Sequence, residues 1–183
     1  MRNELLEVVD EDDVVIRTES RGVIHKLGLL HREIHVWFYT TEGEIIFQHR
    51  AKDKDTYPDL LDATVGGHVE IGDSYEQTAV NESLEETGTS IDSMEGLHFI
   101  KKIKLISEDK VTSTVNYAFK SEYAYLFKGK IQDLMIEKGK SLGFELWSID
   151  VLLSISDEDK KKFIPTIFQT EIIELFRVIK RLV

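Results

Sequence analysis

The chain has 183 residues, with 34 acidic against 23 basic side chains for a formal charge of −11, 42% hydrophobic residues and no cysteine. That content supports one domain over residues 1–183 with a substantial core, and the missing cysteines exclude a disulfide framework, a thiolate metal site and a cysteine nucleophile or acid. The acidic balance argues against a nucleic-acid binder that neutralises many phosphates; a small anionic ligand would need a local cationic site or a bridging divalent metal.

In chain order, Met1 to Glu7 carry no basic-then-apolar leader and no apolar run approaches the roughly 20 residues that span a bilayer, so no membrane partner and a cytoplasmic location are expected. Val14 to Arg17 and Glu33 to Thr41 predict strands, and Glu42-Gly43 offers a turn into a hairpin partner at Glu44 to His49. Ala51 to Asp59 is polar and reaches Pro58, which predicts a loop before a short strand around Leu60 to Val65. Gly66-Gly67 and Gly72 punctuate the next loop; Ser74 with Gln77 three residues on is a capping-box pattern that starts a helix near Tyr75, and Gly88 ends it. Leu97 to Ile106, Thr112 to Lys128 and Gly143 to Trp147 have strand character. From Ser148 the pattern turns helical, with Phe168, Ile172, Leu175, Phe176, Ile179 and Val183 at three- and four-residue steps. This amphipathic helix suits packing on its own sheet or across a homodimer interface. Lys160-Lys161-Lys162 reads as a solvated helix start or turn. A mixed sheet flanked by helices follows.

The middle helix carries Glu82, Glu85 and Glu86 at i, i+3 and i+4, three carboxylates within reach of one point. They repel one another, and a divalent cation with oxygen ligands is the natural compensation. The alternative is a solvated acidic face. The glycine-rich loop directly before the helix favours a site, because glycine lets backbone and ligand approach closely.

The run Gly67-His68-Val69-Glu70-Ile71-Gly72-Asp73, continued by Asn81-Glu82-Ser83-Leu84-Glu85-Glu86-Thr87-Gly88, resembles the box of the Nudix hydrolase superfamily, G-x5-E-x7-R-E-U-x-E-E-x-G-U, with U a bulky apolar residue. Both end glycines and the three helix glutamates are in register. The resemblance implies an α/β/α sandwich with a mixed β-sheet, and Mg²⁺ or Mn²⁺ held by Glu82, Glu85 and Glu86 with the carbonyl of Gly66. Four positions depart from it: Asp73 for the first glutamate, Asn81 for the arginine, Ser83 for the apolar residue and Thr89 for the last one. Asn81 cannot make an arginine's bidentate charged pair with a neighbouring carboxylate.

Gln48-His49-Arg50-Ala51, Lys54, Tyr57-Pro58, Gly67-His68, His31 and Trp37 also resemble the layout of the branch that contains isopentenyl-diphosphate isomerases and their hydrolase-like relatives. That likeness implies a diphosphate gripped by Arg50 and Lys54, and a metal at His31 and His68; His68 is otherwise a loop histidine bonded to nearby backbone. His25 and His35 read as packed or exposed residues flanking strands. Isomerisation itself needs a cysteine where Gly66 stands, and an arginine where Glu82 stands, so hydrolysis is expected.

The expected function is a Mg²⁺-dependent pyrophosphohydrolase that cleaves a phosphoanhydride bond in a nucleoside diphosphate or its derivative, a small-molecule diphosphate substrate. Its general base would be Glu85 or Glu86, or else Glu122, which matches a catalytic glutamate of the isomerase branch and otherwise reads as a strand-edge charge facing solvent. Trp37, Tyr57 and Tyr125 suit stacking on a ligand or core packing. Asp73, Asn81 and Ser83 motivate the alternative, a catalytically weak ligand-sensing domain.

Overall fold

The computed structural model describes residues 4–54, 56–91, 96–109 and 112–183. Residues 1–3 of the Met1 to Glu7 stretch and Asp55 of the polar loop lie outside the described residues. The chain begins with β1 (Leu5–Val9) and β2 (Val15–Ser20), which pair antiparallel, and α1 (Arg21–Leu27) follows. β1 and α1 are additions to the sequence reading. A seven-stranded mixed sheet is then built from β3 (His31–Tyr39), β4 (Glu44–Arg50), β5 (Leu61–Asp62), β6 (Val65–His68), β7 (Leu97–Asp109), β8 (Thr114–Leu126) and β9 (Ser141–Ser148). The strand expected at Leu60 to Val65 is thus two short strands, β5 beside β4 and β6 beside β3.

β3 is the axis of the sheet. Its whole length runs parallel to β8, from His31 opposite Ala118 to Tyr39 opposite Leu126. Its other edge is shared antiparallel by β6 (Glu33 to Val36) and the end of β4 (Phe38, Tyr39). Side chains alternate across a strand, so β3 sends Ile34, Val36 and Phe38 to one face and His31, Glu33, His35 and Trp37 to the other. The first set packs with Val65, Val69 and Ala79 beneath α2 (Tyr75–Thr87). Trp37 joins Phe47, Ile149, Leu152, Phe163, Leu175 and Phe176 on the opposite face.

α2 starts where the Ser74 hydroxyl accepts the Gln77 amide at 3.1 Å and ends at Gly88, whose φ of 71° is a left-handed cap that glycine adopts without strain. Only half of the capping box forms, because the Gln77 side chain donates forward to Asn81 Oδ1 at 2.9 Å. The single C-terminal helix expected from Ser148 is broken into α3 (Ile149–Leu153), α4 (Asp157–Lys160), a 3-10 turn at Pro165–Phe168 and α5 (Thr170–Ile179). Pro165 has no amide hydrogen to continue a helix, and it opens the turn that resets the direction. α5 still buries Ile172, Leu175, Phe176 and Ile179 as the periodicity required, whereas Val183 lies past its end. No helix among the described residues is long and apolar enough to cross a membrane.

Candidate active site

The strand β6 and the helix α2 meet at the two glycines. The Gly66 amide donates to Glu86 Oε2 at 3.2 Å, and Gln48 Nε2 donates to the same oxygen at 3.1 Å. Glu82 lies flat on Gly67, so close that a Cβ there would fall 2.5 Å from Glu82 Oε1. Glu86 is buried, Glu82 half-buried and Glu85 exposed, which arranges the three carboxylates from the interior to the mouth. Burial pushes the Glu86 carboxyl up to about 8, and the neighbouring Glu82 adds to it against the opposing pull of the Gly66 amide and Lys140. Burial likewise pushes Glu82 up to about 7, opposed by Lys140 and reinforced by Glu85, Glu137 and Glu70. Crowded acids that favour protons, set against a cradle without side chains, are a donor set that fits a hard divalent cation.

Behind Gly66 lies a buried polar row. The His35 ring touches Gly66, where a Cβ would meet its Cδ2 at 3.1 Å, and its Nδ1 lies 3.3 Å from Glu122 Oε1 without hydrogen-bond alignment. Glu122 sits on the interior strand β8, fully buried, and its Oε2 accepts from Trp37 Nε1 at 2.6 Å. Neither a strand edge nor solvent is near it. Lys120 Nζ stands 3.2 Å from His35 Nε2 and 2.9 Å from Glu33 Oε2. Burial alone would lower the Lys120 ammonium, but the Glu33 and Glu122 carboxylates outweigh it and raise its pKa.

Glu33 opens a second pocket. His25, His31, Glu33 and His68 each bring one ligand atom, all within 4.8 Å of one another. His31 Nδ1 is 3.0 Å from the Leu29 carbonyl, and its buried Nε2, 3.6 Å from Glu33 Oε1, has no hydrogen-bond partner among the described residues. His68 Nε2 lies 3.2 Å from His25 Nε2 and 3.3 Å from Glu33 Oε1. Burial pushes His25 down to about 4 and His68 down to about 3, against the pull of Glu33, so both imidazoles are neutral at pH 7. Burial would raise Glu33, yet Lys120 and the surrounding histidines hold its carboxyl well below the usual range.

A NUDIX domain model matches residues 29–167. A Nudix hydrolase of Clostridium acetobutylicum is 30% identical over 161 residues, covering 86% of this chain and 76% of that protein. The chain belongs to the Nudix family. It is a hydrolase of the class that acts on phosphoanhydride bonds. Other curated Nudix relatives are matched over about half their length. The Nudix fold is shared with a Deinococcus radiodurans crystal structure at a TM-score of 0.66 and 20% identity, covering 96% of this chain and 98% of that one. It is also shared with the NUDIX domain of Shewanella oneidensis NrtR, solved with ADP ribose, at a TM-score of 0.57 and 15% identity over 84% of this chain and 88% of that one.

Within this Nudix hydrolase the remaining sequence-derived site residues divide. Arg50 is spent inside the chain: its guanidinium donates to Asp62 Oδ2 at 2.8 Å, the Thr56 carbonyl at 2.8 Å and the Tyr57 carbonyl at 3.2 Å, which pins the loop after β4. Lys54 is half-buried beside the carboxylates; burial and the Arg50 and Lys140 charges lower its pKa against the pull of Glu86 and Glu137. His68 groups with histidines, apart from the box glutamates. Of the departures from the box, Ser83 is buried and bonds the Ala79 carbonyl at 2.7 Å, and Asn81 faces solvent. His25 and His35, read from the sequence as packed or exposed residues flanking strands, line these pockets together with Glu33 and Lys120, which the sequence reading did not single out; the alternation of His31, Glu33, His35 and Trp37 along a strand flanked by apolar residues was the available signal.

Proposed function

We propose that this Nudix hydrolase is a Mg²⁺- or Mn²⁺-dependent pyrophosphohydrolase cleaving the phosphoanhydride bond of a nucleoside diphosphate or a nucleoside diphosphate derivative. The observation that carries the reading is the seating of Glu82 and Glu86 against Gly67 and Gly66, two carboxyls that keep protons when no cation is near. Glu82, Glu85 and Glu86, with the Gly66 carbonyl, would hold the cation, which when bound supplies charge neutralisation at the phosphates and acidifies water. Gly66 and Gln48 orient Glu86. Glu85, at the mouth, takes the proton of the attacking water on its carboxylate, and Lys54 meets phosphate oxygens. Glu122, enclosed by Trp37 and His35, is a positioning residue that fixes the wall behind Gly66. The ligand in the Shewanella structure, a nucleoside diphosphate derivative, agrees with this substrate class.

His68, with His25, His31 and Glu33, forms the second part of the proposal. A donor set of three imidazoles and one carboxylate suits a borderline transition metal such as Zn²⁺ better than Mg²⁺. The decisive experiment is a panel of nucleotides, nucleotide sugars and prenyl diphosphates incubated with Mg²⁺ while monophosphate and phosphate release are followed. Turnover of a nucleoside diphosphate compound that disappears in Glu85→Gln and Glu86→Gln supports the enzyme; binding with no turnover across the panel overturns it in favour of a sensing domain.

A further inference from the structure

We propose that Lys140 is the principal cation for the substrate's phosphates in this chain, and that Glu137 holds it when the site is empty. The inference rests on the pyrophosphohydrolase reading, and it begins from a deficit of positive charge. Three carboxylates and a diphosphate must share one small volume, yet Arg50 has its donors committed to Asp62, Thr56 and Tyr57, and Asn81 stands where a box arginine would and turns out to Gln77, which leaves Lys54 alone among the cations read from the sequence.

The segment Leu134 to Lys140 makes up this deficit. It is fastened at one end of α2, where the Met135 amide donates to the Thr87 carbonyl at 2.9 Å and the Met135 side chain covers Gly88 so closely that a Cβ would meet its sulfur at 2.6 Å. Its other end is fastened to the loop that carries Lys54, where the Ala51 amide donates to the Lys140 carbonyl at 3.1 Å. The strap therefore runs between the C-terminal end of the box helix and the loop bearing Lys54, with Glu137 and Lys140 along it. Lys140 Nζ sits 2.9 Å from Glu137 Oε1, and Glu137 Oε2 is buried with no hydrogen-bond partner among the described residues. The strap's bonds to Thr87 and Ala51 hold Lys140 at the site's edge, where its charge opposes those of Glu82 and Glu86.

The geometry sets two states for one side chain. With no cation present, the ammonium offsets Glu82 and Glu86 and is retained by Glu137. When the carboxylates are occupied by a divalent cation, like charges repel, and the Lys140 head, a point charge on a flexible stem, is directed to phosphate oxygens instead. Glu137 is a positioning residue in this scheme, and Lys140 a substrate-binding one.

The test uses the full chain with inorganic imidodiphosphate as probe in saturating Mg²⁺, together with kinetics on the best substrate of the panel and Mn²⁺ affinity by electron paramagnetic resonance. Lys140→Gln is expected to weaken imidodiphosphate binding and raise KM by about tenfold or more, with kcat moving far less, and Lys140→Arg to restore both. Mn²⁺ affinity in Lys140→Gln should stay level or tighten, because a competing positive charge is gone; a merely structural lysine would lower it. Glu137→Gln should change KM only a few-fold. Imidodiphosphate affinity and KM within twofold of wild type in Lys140→Gln overturn the inference while leaving Glu86-dependent turnover, and hence the enzyme reading, intact. A wild-type chain that neither binds the probe nor turns over any substrate overturns both.

Discussion

The four residues of β6 serve two pockets of opposite character. Gly66 and Gly67 receive Glu86 and Glu82, and His68 turns to His25, His31 and Glu33. Burial acts on both, but with opposite consequences: it drives carboxyls toward the protonated form and imidazoles toward the deprotonated form. On the proposed function the first pocket must give up protons to take a cation, whereas burial already holds His25 and His68 of the second in the neutral form. Lys54 and Lys140 border the first pocket, whereas Lys120 is locked into the second by Glu33. On the proposed function, burial of the same kind therefore gates a hard-ion site by pH a few residues from imidazoles, His25 and His68, whose pKa values it lowers.

The sharpest way to break this contrast is to remove the fixed charge. Lys120→Met should destabilise the protein by about 3–5 kcal/mol in chemical denaturation, because it leaves the Glu33 carboxylate buried without its partner; a loss under about 1 kcal/mol would mean that Glu33 is not the charged member of the row. Next in size, Glu86→Gln should cut kcat by about a hundredfold or more while leaving the metal-free melting temperature at pH 8.5 unchanged or higher, since the substitution removes a charge that burial disfavours.

The pH dependence comes third. Glu82 and Glu86 have folded-state values of about 7 and about 8, above the 4.5 of an ordinary glutamate. Their contribution to metal-free stability is therefore full below about pH 4.5 and is lost as pH rises through about 7 and 8. Mg²⁺ requires both groups deprotonated, so its affinity should rise with pH to about 8 and level off above. Calorimetry in buffers of different ionisation enthalpy would read the released protons directly, and pH-independent binding would place the cation elsewhere. The smallest effect on turnover is expected from His68→Ala: it should abolish the visible spectrum of Co²⁺ bound to the histidine pocket while Mg²⁺-dependent kcat falls only a few-fold.

What the sequence made legible follows the range of the forces involved. α2 was readable because its determinants are local: Ser74 caps it, Gly88 ends it at φ 71°, and the glutamate spacing is set by the helix itself. The hairpin of β3 and β4 was readable for the same reason. α1 was not, since seven residues with Gly22 inside and Ile24 as the one buried side chain carry no periodicity, and no side chain caps its start. Without that helix, His25 read as a packed or exposed residue flanking a strand. Arg50 shows a different limit. Its place in the chain suggested a phosphate contact, but whether a guanidinium is available depends on carbonyls at Thr56 and Tyr57 whose orientation is a property of the folded loop. The break at Pro165 was written in the sequence, and the continuing apolar periodicity masked it.

The parallel pairing of β3 with β8 has a consequence for biosynthesis. Glu33 is translated long before Lys120, and the two can meet only after the whole intervening chain, including the box helix, has left the ribosome. Until then, an acidic side chain destined for the interior has no counter-charge, and closing so long a loop is slow. Nascent chains should therefore stay open around the histidine cluster while the neighbouring hairpin is already formed, which leaves a window in which a chaperone or a free metal ion can reach those imidazoles first.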